Sequence, residues 1–468
     1  MLKLAVISDV HYYSETLGNS GRAYEIRSKT DQKCLAESGA ILDAALAEIA
    51  ASDCDALLVA GDMSNDGEIV SHNEFREKLT AFQEKKDAYV IYATHDWCSD
   101  GNARAYKGDE VLHGVPTQTP PGLREFYRDF GANRAYDEYV THLNASSYAV
   151  KLPGVRLIAL NDDQNGKGAS GYSDEHLEWI LRQVRDAKAN GEAALVMEHH
   201  MVLPNVSPLV NGHGQCIGER ERMAKELASA GVDVLIVGHS HFQRTTEYTA
   251  KNGNVMTQIN VASLSGYPAP IAWLTFDGNE CRVDVTHVES FEYRGKTLGQ
   301  EYLRDHSEGV IRNVVKACAG ADTEYFVRIM REYGVDADKA RKLHPVLRTA
   351  AKKLLTVKVG TAAKAVNALT LRQGIDKHTY RRIYNDNLFN HICDIFLCLF
   401  DGRRYDVTDP VFLVALDVAN VPSKALAKLL LPADARAGAE KTIALIQSSL
   451  REIMHSSGPD NLHHVIKL

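Results

Sequence analysis

Aspartates and histidines recur in this chain at one kind of place, directly after a short apolar run. Leu4-Ala5-Val6-Ile7 is followed by Ser8-Asp9-Val10-His11, Ala56 to Ala60 by Gly61-Asp62, and Tyr89-Val90-Ile91-Tyr92 by Ala93-Thr94-His95-Asp96. Further on, Ala194 to Met197 leads to Glu198-His199-His200, and Val234 to Val237 leads to Gly238-His239-Ser240-His241. Side chains two apart in extended chain share a face, so Asp9 with His11, and His239 with His241, can each reach a common point. That is metal-ligand spacing. A mixed imidazole and carboxylate set suits Mn, Fe or Zn better than Mg or Ca.

Such residues act together only if a scaffold delivers them to one place. The apolar runs, bounded by glycine or polar residues, read as strands buried on both faces of an α/β sheet. In open α/β sheets the crevice outside the carboxyl ends of the strands is where ligands bind. Leu35, Ile41, Leu42, Ala45, Leu46 and Ile49 repeat at helical spacing between the first two runs, which makes those strands parallel. A helix is expected around Glu74 to Lys85, another after the cap Ser173, and a third from Arg220 to Ala230, ended by Gly231. Ser146 to Val150 and Val155 to Leu160, joined by Pro153-Gly154, predict a hairpin. Met256 to Val261, Ile271 to Phe276 and Cys281 to Val288 predict a β meander that finishes the sheet layer. Residues 12–30 and 97–140 read as long loops around the crevice. Asn65-Asp66-Gly67 has turn chemistry, which makes Asp66 a turn former.

At 468 residues the chain exceeds the size of one core. The pattern changes to a 3.6-residue period near residue 295, so 1–294 is expected to be a catalytic domain and 295–468 a helical one. The net charge of −8 divides unevenly: residues 295–468 hold 26 Lys and Arg against 19 Asp and Glu, leaving −15 for the rest. Eight cysteines without Cys-x-x-Cys spacing predict reduced thiols and a cytoplasmic protein. Met1-Leu2-Lys3-Leu4 runs directly into the first strand, which argues against a signal peptide. No segment has the length and apolarity of a membrane span; Phe412 to Leu431 comes nearest and is broken by Asp417, Asn420, Pro422, Lys424 and Lys428. A basic stripe with interleaved aromatics is missing, which argues against nucleic acid as a partner. No feature specifies an oligomeric state.

The ordered set Asp-x-His, Gly-Asp, x-x-His-Asp, His-His and Gly-His-x-His resembles the calcineurin-like metallophosphoesterase superfamily over about residues 1–290. The superfamily pattern is Asp-x-His, Gly-Asp, Gly-Asn-His-Asp/Glu, His and Gly-His-x-His. The resemblance implies a four-layer α/β/β/α sandwich, here with an all-helical C-terminal domain, and two divalent or trivalent metal ions. It implies Asp9, His11 and His241 on one ion, Asp62 bridging, and Thr94, His199 and His239 on the other, with His200 as the alternative to His199. Two ions roughly 3.5–4 Å apart hold a phosphate and lower the pKa of a bridging water from 15.7 towards about 7, so that hydroxide attacks phosphorus in line. His95 then protonates the leaving oxygen or stabilises developing charge, with Asp96 fixing its tautomer. The departure is Thr94, a hydroxyl where the superfamily has an amide oxygen, so the second ion is expected to be the looser one. Asn102 is the candidate to replace that amide, while His213 reads as a rim residue and Tyr267 as a turn residue.

The layout of a long loop after Asp-x-His and a helical C-terminal part resembles bacterial class III cyclic nucleotide phosphodiesterases. That implies a small phosphodiester substrate such as a cyclic nucleotide. A phosphomonoesterase is the near alternative. A metal-binding or regulatory module that has lost catalysis is the alternative of another class.

Overall fold

The computed structural model describes residues 1–206, 215–332, 335–370, 378–416, 441, 444–445, 448–455 and 458–468. His213 and most of the Phe412–Leu431 stretch lie outside the described residues.

Two sheets carry the fold. In the first, the order is His463–Lys467, Glu280–His287, Pro270–Asp277, Leu2–Ile7, Ala56–Ala60, Asp87–Ile91. In the second it is Arg244–Thr249, Val255–Asn260, Val234–Val237, Ala193–Met197, Val155–Ala159, Ser146–Leu152, Asp137–Val140. In the first sheet Leu2–Ile7, Ala56–Ala60 and the edge strand Asp87–Ile91 run parallel, as in Leu4↔Ala56, and the other three pair antiparallel; in the second the four central strands are parallel, as in Val234↔Leu195, and the outer ones antiparallel. Strand alternation explains the layers. Ala56, Leu58 and Ala60 face a core shared with Leu157, Leu195 and Ile236 of the other sheet, whereas Leu57 and Val59 pack outward against Ile41, Leu42, Phe75 and Leu79. Helices Ser38–Ala51 and Ile69–Gln83 supply that outer layer. On the far side, Asp174–Ala189 and Arg220–Ala230 cover the second sheet through Leu177, Ile180, Val184, Leu227 and Ala228. The result is the expected four-layer α/β/β/α sandwich.

Most local readings hold. Ser173 Oγ caps its helix by accepting the His176 N–H, Gly231 ends the next at φ 104°, and Ser146–Leu152 pairs with Val155–Ala159 as a hairpin. The meander holds only in part, for Pro270–Asp277 with its antiparallel neighbour Glu280–His287. Val255–Asn260 pairs in parallel with Val234–Val237 in the second sheet, and the chain then crosses to place Pro270–Asp277 beside Leu2–Ile7 in the first. The crossing passes the strand ends, where Ser263 Oγ donates to the Asp9 carbonyl at 2.8 Å. The expected loops also contain regular pieces: helix Arg22–Ser28, the hairpin Arg104–Lys107 with Glu110–His113, and helix Pro120–Phe126.

The expected boundary near residue 295 falls in a hairpin, Ser290–Tyr293 with Lys296–Gly299. Helices Gln300–Ala319, Thr323–Glu332, Ala337–Leu354, Val359–Thr370 and Leu388–Asp401 follow. The C-terminal part is not helical to its end, because His463–Lys467 returns to the edge of the first sheet against Glu280–Asp284. All eight cysteines carry free thiols. Among the described residues, no helix is long and apolar enough to cross a membrane.

Candidate metal centre

Both sheets present their carboxyl ends to the same crevice. His199 Nδ1, from the second sheet, bonds the Ala60 carbonyl of the first at 2.8 Å, and the His239 N–H donates to Asp9 at 3.1 Å. Two glycines permit this approach. A Cβ at Gly61, where φ is 87°, would lie 2.7 Å from His199 Nδ1, and one at Gly238 would lie 2.0 Å from Ser8 Oγ and 2.3 Å from Asp9 Oδ2.

The ligand-type atoms gather into two groups, Asp9 with His11 and His241, and Asp62 with His199 and His239, each within 4.8 Å. His241 Nε2 is 3.3 Å from Asp9 Oδ1 and 3.0 Å from His11 Nε2. Asp62 Oδ2 lies 3.0 Å from His199 Nε2 and 3.9 Å from His11 Nε2, so Asp62 stands between the groups. The backbone is bent to achieve this. Asp9, His11, Asp62, His239 and His241 all have positive φ, between 42° and 67°. Asp9 and His11 therefore reach their common point through left-handed turns, not through extended chain, whereas His239 and His241 do not share a point as expected but divide between the two groups. Such conformations cost about 1–3 kcal/mol each and concentrate at functional sites.

The donor set fits cations. His241 Nδ1 bonds Gln32 Oε1 at 3.0 Å and His199 Nδ1 bonds a carbonyl, which turns both Nε2 atoms inward as lone pairs. His199 Nε2 is buried 3.0 Å from a carboxylate oxygen without hydrogen-bond geometry, and two histidine Nε2 atoms face each other at 3.0 Å. Donor atoms that converge in this way are satisfied by an ion between them. Burial would raise the Asp9 and Asp62 carboxyls, but the surrounding histidines hold both well below the usual range. Burial also opposes charge on His199, yet Asp62 and Asp9 push its pKa well above the ordinary value, while burial, with the charges of His200 and His199 beside it, drives His239 well below it.

His95 sits beside these groups, its ring 5.0 Å from that of His11 and its backbone N–H donating to Asp62 Oδ1 at 3.2 Å. Its orientation corrects one expectation. Asp96 does not touch the imidazole: it accepts the Ser64 N–H at 2.8 Å and the Ala93 N–H at 2.9 Å, clamping the two strand-end loops together. His95 Nδ1 is held instead by the Asn65 carbonyl at 2.6 Å and Asp66 Oδ1 at 3.2 Å. Burial disfavours its charge, but Asp62 and Asp66 raise its pKa to about 9. Asp66 is thus a turn residue that also orients the imidazole.

The remaining expectations divide. His199, not His200, joins the Asp62 group; His200 lies 3.3 Å from Asp162. Thr94 is half-buried at the start of the loop that carries His95. Asn102 is tied by its N–H to Asp100 in an exposed turn. Tyr267 donates to Asp401 Oδ2 at 3.0 Å and so joins the sandwich to the helical part. No motif or spacing pointed to Gln32, or to Lys33, whose charge bears on both His11 and His95.

Paired carboxylate and imidazole groups at the shared end of two stacked sheets are the layout of a metal-dependent hydrolase. The chain belongs to the calcineurin-like phosphoesterase family, whose model matches residues 2–243, just over half of its length. It is accordingly a metallophosphoesterase, of a family that uses a dinuclear metal centre. No curated protein matches the chain. Among solved structures it is similar to a dimetal phosphatase from Danio rerio, at 13% identity and TM-score 0.44, over 64% of this chain and 99% of that one. A purple acid phosphatase from yellow lupin (Lupinus luteus) seeds gives 12% identity and TM-score 0.41, over 64% and 52%. An NAD nucleotidase from Haemophilus influenzae gives 11% and 0.34, over 78% and 71%. The chain thus spans about half of the lupin enzyme.

Proposed function

We propose that the enzyme hydrolyses a small phosphodiester, with a cyclic nucleotide as the leading candidate. In this reading Asp9, His11 and His241 hold one ion, Asp62 is shared, and His199 and His239 hold the other together with Thr94. Bound there, Mn, Fe or Zn ions would fix the phosphate and supply a nucleophile at neutral pH. The protein's own residues do the rest. Gln32 and the Ala60 carbonyl fix the His241 and His199 tautomers, and Asp62 spans both groups. Asp66 and the Asn65 carbonyl hold the Nδ1–H of His95, leaving its Nε2–H to protonate the departing oxygen.

The observation that carries the diester is the charge beside the crevice. Arg27 and Lys33, the cations that bear on His95 or Asp66, lie 2.6 Å and 3.6 Å from Asp31. Arg27 also faces Glu332 of the helical part at 4.0 Å. Cations so neutralised suit the single charge of a diester better than the double charge of a monoester. The helical part narrows access as well: His306 bonds the Asp31 carbonyl at 2.9 Å and Asn313 the Lys29 carbonyl at 3.2 Å.

Hydrolysis of bis-p-nitrophenyl phosphate, p-nitrophenyl phosphate and a cyclic nucleotide panel, after defined Mn, Fe or Zn loading, tests the reading. A kcat/KM preference for diesters of about tenfold or more is expected. The opposite preference would make it a phosphomonoesterase, and no turnover with both ions bound would make it a binding module.

A further inference from the structure

A third set of ligand-type side chains lies next to the crevice. Asp162 and Asp163 follow the Val155–Ala159 strand, and Glu198 and His200 follow its parallel neighbour Ala193–Met197. Asp162 and Glu198 are fully enclosed, and Asp163 and His200 are only 3% and 4% exposed. Among the described residues, no Lys or Arg pairs with any of these carboxylates; the basic group at hand is His200, 3.3 Å from Asp162 Oδ2.

Each aspartate has one oxygen engaged and one free. Asp162 Oδ2 accepts the His200 N–H at 2.7 Å, and Asp163 Oδ2 accepts from Trp97 Nε1 at 2.8 Å and Asn161 Nδ2 at 3.0 Å. Asp162 Oδ1 and Asp163 Oδ1 are buried without a partner. His200 Nδ1, close as it is to Asp162, makes no hydrogen bond with it. One donor atom from each of Asp162, Asp163 and His200 lies within 4.8 Å of the others.

We propose that Asp162, Asp163 and His200 form a third cation site, which shares no ligand with the two groups of the crevice although the His200 ring lies 4.4 Å from that of His239, for a divalent transition ion such as Mn2+. Two carboxylates and one imidazole are an N/O donor set of the kind Mn2+ accepts. Buried carboxylates without counter-charge are too costly to leave so. The ion would tie the Trp97 loop to the His199–His200 segment, and so steady a crevice histidine from behind its own backbone. The inference stands apart from the phosphodiesterase reading, since it needs no ion in the crevice.

Equilibrium dialysis of the full chain against micromolar Mn2+, with anomalous scattering from crystals of the same preparation, tests it. The expected results are an Mn peak between the three side chains and the loss of one Mn equivalent in Asp163→Asn. That variant keeps an oxygen for Trp97 and Asn161. Trp97 offers a second readout, because paramagnetic Mn2+ beside its hydrogen-bond partner quenches its fluorescence, and the quenching should weaken in Asp163→Asn. A map without a peak there overturns the proposal, whatever fills the crevice, as do equal Mn content and equal quenching in wild type and variant. A filled third site with empty Asp9 and Asp62 groups would instead count against the proposed function and leave this inference standing.

Discussion

His95 is gripped by Asp66 and not by Asp96, so the two carboxylates should fail differently when neutralised. Asp66→Asn loosens the imidazole and removes one of the charges that raise its pKa to about 9, so the loss of the acidic form should move to lower pH. Its kcat should fall by up to about 10² with poor leaving groups and less with nitrophenyl esters, which need no proton. Asp96→Asn should instead weaken the clamp on the Ser64 and Ala93 N–H groups and lower stability by about 1–3 kcal/mol, read from thermal unfolding. Equal kcat losses with equal stability would hand the orienting role back to Asp96. The pair was illegible in the sequence for a physical reason: Asp96 adjoins His95 along the chain, but the turn between them points the carboxylate at backbone amides, while Asp66 arrives from another loop. A second expectation concerns His199, which the Asp62 and Asp9 charges keep protonated around neutral pH in the metal-free protein. An ion must displace that proton, so affinity for the second ion should weaken about tenfold for each unit the pH falls. Calorimetry in buffers of different ionisation enthalpy should find about one proton released; none released would mean that His199 is not a ligand.

The strand ends, and thus Asp9, Asp62, His199, His239 and His241, were readable because a doubly buried strand is an apolar run that must stop where the chain turns polar. The assignment of strands to sheets was not. Val255–Asn260 and Pro270–Asp277 show similar local patterns, and only the packing between sheets decides that the chain crosses over between them. Likewise, His463–Lys467 is too short and too exposed on one face to stand out after a long helical stretch. What the elements must supply is close approach, which isolates a prediction. Gly238→Ala puts a methyl group into Ser8 Oγ and Asp9 Oδ2 and should displace Asp9, abolishing the first ion's binding. Leu58→Ala, within the core between the sheets, should lower stability by about 2–5 kcal/mol and leave metal content intact. Metal analysis beside thermal unfolding separates the two effects; normal metal content in Gly238→Ala would show that the loops relax to absorb the methyl group.

The molecule as a whole joins the sandwich, which carries the two ligand groups, to a helical part packed against it. The join runs through segments next to site residues: Gln243, just past His241, donates its N–H to the Leu399 carbonyl at 3.0 Å, and Arg104 meets Glu332 at 3.0 Å. Tyr267 donates to Asp401 across the same join. Tyr267→Phe should therefore loosen the helical part and raise KM for a bulky diester several-fold, with kcat for bis-p-nitrophenyl phosphate nearly unchanged. An unchanged KM would confine the helices to a structural part. We propose that Asp62 is the carboxylate both ions share, since it lies 3.0 Å from His199 Nε2 and 3.9 Å from His11 Nε2. Metal content of Asp62→Ala against wild type, with folding checked by circular dichroism, tests it most directly. The predicted result is a folded protein that loses two metal equivalents together and with them all phosphodiester hydrolysis; a variant that keeps both of those ions would contradict the shared ligand and the dinuclear centre built on it.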